Sequence, residues 1–232
     1  MARTNVWMSV SDLMTGLMII FLFIAISFMS KVGHDVSQYV DTKRILFDSL
    51  QHITDRAQPG TLEMDSDLTM RFLKAETLFD GGQSEPNDEF KERLRKVMPT
   101  YLKIILNMNE DIKRNIKEIR IEGHSDPSGF KDKSKDCYKE NLKLSQDRAR
   151  AVLFYIFDIA KEEHFTEEEM QMLEHVLTAN GYSYSRALDK DGNYVYDSKG
   201  VKGIDMEKSR RVEIRIITND KAVIEKLINN SK

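Results

Sequence analysis

Cysteine is nearly missing from this chain of 232 residues: Cys137 stands alone. That excludes an internal disulfide framework and any zinc site built from several thiolates. Scarce cysteine is compatible with an oxidising compartment without establishing one. An excess of positive charge is missing too. The 35 Lys and Arg against 38 Asp and Glu leave a net charge of −3, so no basic field argues for nucleic acid. Apolar runs long enough to cross a bilayer are also missing, with one exception at the amino terminus.

That exception, Val6 to Ser30, reads VWMSVSDLMTGLMIIFLFIAISFMS and carries a single charge, Asp12. At about 1.5 Å per helical residue it exceeds the roughly 30 Å hydrocarbon core of a bilayer. Asp12 falls about two turns inside, where an unpartnered carboxylate costs on the order of 1–3 kcal/mol. An ionisable residue at such a depth is read as part of an ion pathway. Ser9, Asp12, Thr15 and Gly16 share one small and polar helix face, suited to meeting another helix and not lipid. Two other readings compete. A cleaved signal peptide is suggested by Arg3 and by Ala25-Ile26-Ser27, but Leu13 to Met29 is longer than a usual apolar region and Lys31 follows it. Alternatively, Ser11 or Asp12 caps a helix that starts at Leu13, which leaves the upstream apolar residues Val6, Trp7, Met8 and Val10 without a role. With Arg3 on one side and Lys31 on the other, the positive-inside rule gives little help with orientation.

Three segments follow from the pattern: residues 1–31 as tail and membrane helix, 32–61 as a linker helix, and 62–232 as a globular domain. The linker carries a thin stripe of Val36, Val40, Phe47, Leu50 and Ile53, which suggests self-association, and Gln58-Pro59-Gly60 marks its end. In the domain, Leu68, Met70 and Phe72 alternate as a strand, and Asp80-Gly81-Gly82 is a turn. Phe90, Leu94, Val97, Tyr101 and Ile104 predict a helix from about Asn87 to Leu106 that contains Pro99. Ile119 and Ile121 alternate with Arg120 and Glu122 as a short strand, and a polar loop runs from His124 to Lys139. Ser145 is the expected cap of the next helix, with Ala149, Val152, Ile156 and Ile159 inward, and Thr166 to Glu169 is a capping box. Leu177 to Ala179 reads as helix end or as strand. Asp191-Gly192 suggests a hairpin, Arg211 to Ile217 a final strand, and Val223 to Ile228 a terminal helix. The expected class is α+β: one transmembrane helix, then a βαβαβ sandwich of helices on a mixed sheet.

Three motifs carry the candidate site. Ile121-Glu122-Gly123-His124-Ser125-Asp126-Pro127-Ser128-Gly129 ends a strand, Asn141-Leu142-Lys143-Leu144-Ser145-Gln146-Asp147-Arg148-Ala149 is expected to open a helix, and Ser209-Arg210-Arg211-Val212-Glu213-Ile214 begins the last strand. Together they resemble the OmpA-like peptidoglycan-binding domain, with its GHTD-x-x-G, N-x-x-LS-x-x-RA and NRRVEI patterns. Ser125 departs from the family's threonine, Ser209 from its asparagine, and the first two motifs are more widely spaced. The resemblance implies that Asp126, Arg148, His124, Asn141, Ser145 and Arg211 bind peptidoglycan through diaminopimelate. Asp126 would take the ammonium, and Arg148 the carboxylate in bidentate geometry near a helix N-terminus. The competing reading makes Asp126 and Arg148 an internal salt bridge. A hydrolase reading with Ser125 as nucleophile fails, because no nucleophile elbow surrounds it and three consecutive loop residues do not make a triad. The expectation is a protein that is not an enzyme, with no catalytic residue, no bound metal and no cofactor other than a transported ion.

The amino-terminal segment has its own resemblance. Ser9-Val10-Ser11-Asp12-Leu13-Met14-Thr15-Gly16-Leu17-Met18 resembles the A-D-F-M-T-A-M-M segment of the MotB family of flagellar stator subunits. The run VSDLMTGLMIIFLFIAISFM is closer to the ZorB family, the MotB-like membrane subunits of Zorya anti-phage defence systems. This implies a homodimer within a ring of multi-span MotA-like (ZorA-like) chains in the bacterial inner membrane. The amino terminus would be cytoplasmic and the carboxy-terminal domain periplasmic. Asp12 would carry the ion with help from Thr15. A single carboxylate serves H⁺ or Na⁺ equally, so the sequence does not choose between them.

Overall fold

A computed structural model describes residues 2–54, 57, 60–73, 78–128, 136–195 and 203–219; within its first helix, side chains are described at 7, 10–33 and from 40 onward. Contacts divide the chain into two units, one containing residues up to Thr42 and the other Lys43–Thr218.

Helix α1 (Ala2–Gln51) is continuous. Its segment Val10–Gly33 is long and apolar enough to cross a membrane, and none of that window is buried within the chain. Leu13, Met18 and Phe23 are all exposed, as residues meant for an apolar solvent would be. Because the helix starts at Ala2, neither Ser11 nor Asp12 caps it.

The last turns of α1 belong to the second unit, so the boundary expected at Leu62 falls inside that unit. Leu46, Leu50 and Ile53, spaced by four and three residues, are 0%, 0% and 1% exposed within the core, and Phe47 packs against it. The stripe assigned to self-association is therefore used here, at its carboxy-terminal end, to cover this chain's own core. Val40 stays exposed, and the side chain of Val36 lies outside those described.

The second unit contains β1 (Leu62–Met64), β2 (Thr69–Phe72), α2 (Asp88–Leu106), α3 (Glu110–Asn115), β3 (Ile116–His124), α4 (Cys137–Glu162), α5 (Glu167–Val176), β4 (Leu177–Gly181), α6 (Met206–Ser209) and β5 (Arg211–Thr218). The sheet order is β1-β2-β5-β3-β4, with β3 and β4 parallel and the remaining pairs antiparallel. This is the expected α+β sandwich. Leu177 settles the open segment: α5 ends at Val176 and the chain turns directly into β4. Leu68 is not in the strand. It sits at φ 65 in the preceding turn, yet is 1% exposed. Asn87 caps α2 by accepting from the Phe90 N–H at 2.9 Å, and Thr166 with Glu169 forms the expected capping box. Asp189 to Asn193 closes a tight turn with Gly192 at φ 85. Gln58, Pro59, Thr77, Gly129, Tyr196 and the terminal helix expected over Val223 to Ile228 lie outside the described residues.

The start of α4 differs from expectation. Its cap is Asp136, which accepts from the Tyr138 and Lys139 N–H groups. Ser145 lies inside the helix. Its hydroxyl donates to the Leu142 carbonyl at 3.0 Å and accepts from the Ser183 N–H at 3.0 Å, tying α4 to the segment after β4. The helix approaches the sheet closely there. A Cβ on Gly123 would overlap the Ser145 carbonyl, and one on Gly181 would overlap the Gln146 backbone. That is why glycine stands one residue before the end of β3 and at the end of β4.

Strand alternation divides the sheet cleanly. Met70, Phe72, Ile119, Ile121, Val212, Ile214 and Ile216 face the core under the helices. The other face carries Arg71, Arg120, Glu122, His124, Arg211, Glu213 and Arg215 in register: Arg71 and Glu122 lie beside Glu213, Arg120 beside Arg215, and His124 beside Arg211.

Candidate ligand-binding cleft and membrane carboxylate

The charged sheet face is buried, with Glu122 and Glu213 both 0% exposed. Such groups stay ionised only when paired and hydrogen-bonded. The Arg71 and Arg211 Nε atoms each donate to Glu213 Oε1 at 2.7 Å, and Arg215 reaches Oε2 at 3.0 Å. Arg186 donates to Glu122 at 3.0 Å. Burial acts to raise the pKa of Glu213, but Arg211 and Arg71 outweigh it and hold the group well below the usual carboxylate range. Residues after β4 roof the network: the Tyr182 ring stacks on His124 at 5.3 Å, and the Tyr194 hydroxyl accepts from Arg215.

His124 lies at the end of this network and is 2% exposed. Its Nε2 is 3.4 Å from Glu122 and 3.7 Å from Glu213. Burial, followed by the charge of Arg211, pushes its pKa down to about 4, so it is neutral at pH 7. Glu122, His124 and Glu213 have the donor types of a metal site. The guanidinium groups already bonded to both carboxylates make the spot electrostatically unfavourable for a cation.

The candidate site opens beside His124, where the loop after β3 meets the start of β5. Asp126 is 2% exposed. Its Oδ1 accepts from the Ser128 N–H at 2.6 Å and from the Ser128 hydroxyl. Its Oδ2 pairs with Arg210 Nη1 at 2.8 Å. The internal salt bridge weighed for Asp126 and Arg148 is therefore absent, and Arg210, not assigned to the site from sequence, occupies that role. Arg148 lies over the Phe79 ring at 4.6 Å and donates from Nε to the Gln83 carbonyl at 2.9 Å. Among the described residues no carboxylate lies within ion-pairing distance of it. Burial, followed by the charge of Arg210, lowers its pKa to about 10, with Asp126 opposing, so the guanidinium stays charged at pH 7. A half-buried cation lacking an anion, beside a buried carboxylate, suits a ligand that carries both charges.

The other expected site residues divide. His124 and Arg211 line the small cleft with Leu78, Phe79, Gly123, Arg148, Arg210 and Val212. Arg211 is committed to Glu213 and to the Ser209 and Arg186 carbonyls. Asn141 donates to the Cys137 carbonyl at 3.0 Å, and Ser145 holds α4 against the segment after β4, so both serve the scaffold. Arg148 lies well inside α4, not in its first turn, so the helix N-terminus lends it no field.

On α1, the Asp12 side chain is exposed and makes no hydrogen bond or ion pair to a described residue. Nothing lies within 4 Å of the position a Cβ on Gly16 would take. The Thr15 hydroxyl donates to the Ser11 carbonyl at 2.8 Å and does not reach to Asp12.

No family model matches the chain. It is 33% identical to Zorya protein ZorB of Escherichia coli strain Crooks over 96% of its length and 92% of the relative's. It is 25% identical to Zorya protein ZorB of Escherichia coli O139:H28 strain E24377A, over 93% and 81%. Among solved structures, it shares its fold with a MotB-like protein from Desulfovibrio vulgaris. That match has a TM-score of 0.51 and 18% identity, and covers 79% of this chain and 95% of that one.

Proposed function

Because the chain belongs to the ZorB family, we propose that it is the wall-anchored subunit of an ion-driven inner-membrane motor acting in anti-phage defence. In this reading α1 crosses the inner membrane once, with its amino terminus in the cytoplasm and the Lys43–Thr218 unit in the periplasm. Two copies sit within a ring of a multi-span MotA-like, ZorA-like partner. Since Leu46, Leu50 and Ile53 are engaged in their own domain, that part of the stripe does not pair the copies, and the small face that carries Asp12 and Gly16 meets the ring.

The observation that carries the reading is Asp12, a carboxylate without a partner among the described residues on the exposed surface of an apolar helix. Such a group is tolerated at a partner interface where it can pick up and release an ion. Protonation, or capture of Na⁺, removes the net charge that makes burial costly, so the ring can pass over it, and ion release restores the charge. Thr15 exchanges its bond to Ser11 for one to Asp12 or to a bare cation. At the other end, Asp126 and Arg148 hold the ammonium and carboxylate of diaminopimelate, fixing the subunit to peptidoglycan so that torque has a stationary reference. No step requires a catalytic residue or a bound cofactor.

Asp12→Asn conserves shape and removes titration. Complexes carrying it are expected to assemble, while ion flux and protection against phage are lost. Full protection in cells carrying Asp12→Asn would rule out the motor and leave a passive wall tether.

A further inference from the structure

Asp126 does not wait empty for an ammonium group. Both of its oxygens are engaged, Oδ1 by Ser128 and Oδ2 by Arg210. Arg210 is half-exposed, whereas Asp126 is buried, so the guanidinium closes the carboxylate off from solvent. Arg148 is close enough to feel the charge of Arg210 as repulsion. Among the described residues the site therefore contains two neighbouring cations and one carboxylate, and that carboxylate is committed to Arg210, whose side chain is 40% exposed.

We propose that Arg210 is the specificity-determining residue of the site, an internal stand-in for the ligand's ammonium that is displaced only by a ligand bringing its own carboxylate. The inference rests on the wall-binding reading given above. An ammonium that takes Oδ2 from Arg210 releases a guanidinium beside Arg148, and two unpaired cations in a half-buried cleft repel each other. A ligand with an amine alone leaves that repulsion in place. A ligand with ammonium and carboxylate on one carbon places the anion between Arg148 and the released Arg210, so the two guanidinium groups share a counter-charge and do not face each other bare. Selectivity for diaminopimelate over the lysine of other wall peptides follows. Both offer an ε-amine, but only diaminopimelate carries a carboxylate on the same carbon. The bidentate geometry expected of Arg148 alone becomes a two-guanidinium clamp that assembles on binding.

The test is calorimetric titration of full-length protein in detergent with two purified stem peptides, one containing meso-diaminopimelate and one containing lysine. Wild type is expected to favour the diaminopimelate peptide by tens of fold or more. Arg210→Ala leaves Asp126 open to any ammonium, so the lysine peptide should gain affinity and the preference should collapse to a few fold. Arg210→Lys, which restores a cation beside Asp126, should recover part of the preference. If Arg210→Ala keeps the wild-type preference, or lowers affinity for both peptides equally, Arg210 is not the determinant and the inference is overturned. If wild type binds neither peptide, the wall-binding reading itself fails.

Discussion

Acid should weaken this domain in a window that belongs to His124. The imidazole is 2% exposed, and burial together with Arg211 takes its pKa from 6.5 to about 4. Two nearby carboxylates oppose the shift without reversing it. The folded-state value is depressed, so the fold holds a neutral ring while the unfolded chain takes up a proton from about pH 6.5 downward. Unfolding thus binds a proton between the two values. The stabilisation is fully present above about pH 6.5 and is lost progressively as pH falls toward 4. At 1.36 kcal/mol per pH unit, this gap is worth about 3 kcal/mol, a large share of a typical domain's stability. The buried carboxylates Glu122 and Glu213 also have lowered pKa values, but their loss begins only below the ordinary glutamate value of 4.5. Urea unfolding of a fragment starting at Lys43, at fixed ionic strength and at pH 7.5, 6.5, 5.5 and 4.5, reads the slope directly. His124→Gln, which does not titrate, should be less stable than wild type at pH 7.5 and should lose less stability across the window. A wild-type profile flat from pH 6.5 to 4.5, or an identical slope in His124→Gln, would refute the account of a buried neutral histidine.

Other perturbations test the remaining links. Asp126→Ala or Arg148→Ala removes one half of the charge match and is expected to weaken co-sedimentation with purified peptidoglycan, by about 2–5 kcal/mol if the site is desolvated; wild-type sedimentation of both variants would mean the site is elsewhere. Leu50→Ala opens a cavity in a side chain that is 0% exposed and should cost about 2–5 kcal/mol in urea melts. For the same reason a fragment starting at Leu62 should be markedly less stable than one starting at Lys43, and equal midpoints would return the last turns of α1 to the linker. Gly123→Ala forces a Cβ into the Ser145 carbonyl and should destabilise by about 1–3 kcal/mol or more, read as a lower melting temperature.

Whatever depends on near neighbours along the chain could be read from the sequence. The bilayer-length run around Asp12, the helix from about Asn87 to Leu106, the Thr166 capping box and the inward face of α4 are local patterns, because helix and strand periodicities are properties of a few consecutive residues. The motifs containing Asp126, Arg148 and Arg211 could be quoted before any fold was known, since each is contiguous. Tertiary structure decided what those residues touch. Ser145 and Asp136 both have side chains fit to cap a helix, and only the distant Ser183 N–H explains why Ser145 is placed inside α4. The stripe Leu46, Leu50 and Ile53 announces an apolar face but not what covers it, and a domain core satisfies it as well as a second copy would. Alternation puts Arg211 on the charged face with Glu213. The pairing of β3 with β5, which sets His124 opposite Arg211, is what leaves the neighbouring Arg210 at the strand end, within reach of Asp126. A side chain's partner is fixed by strand register between segments some 85 residues apart, and no local pattern in the sequence records that register.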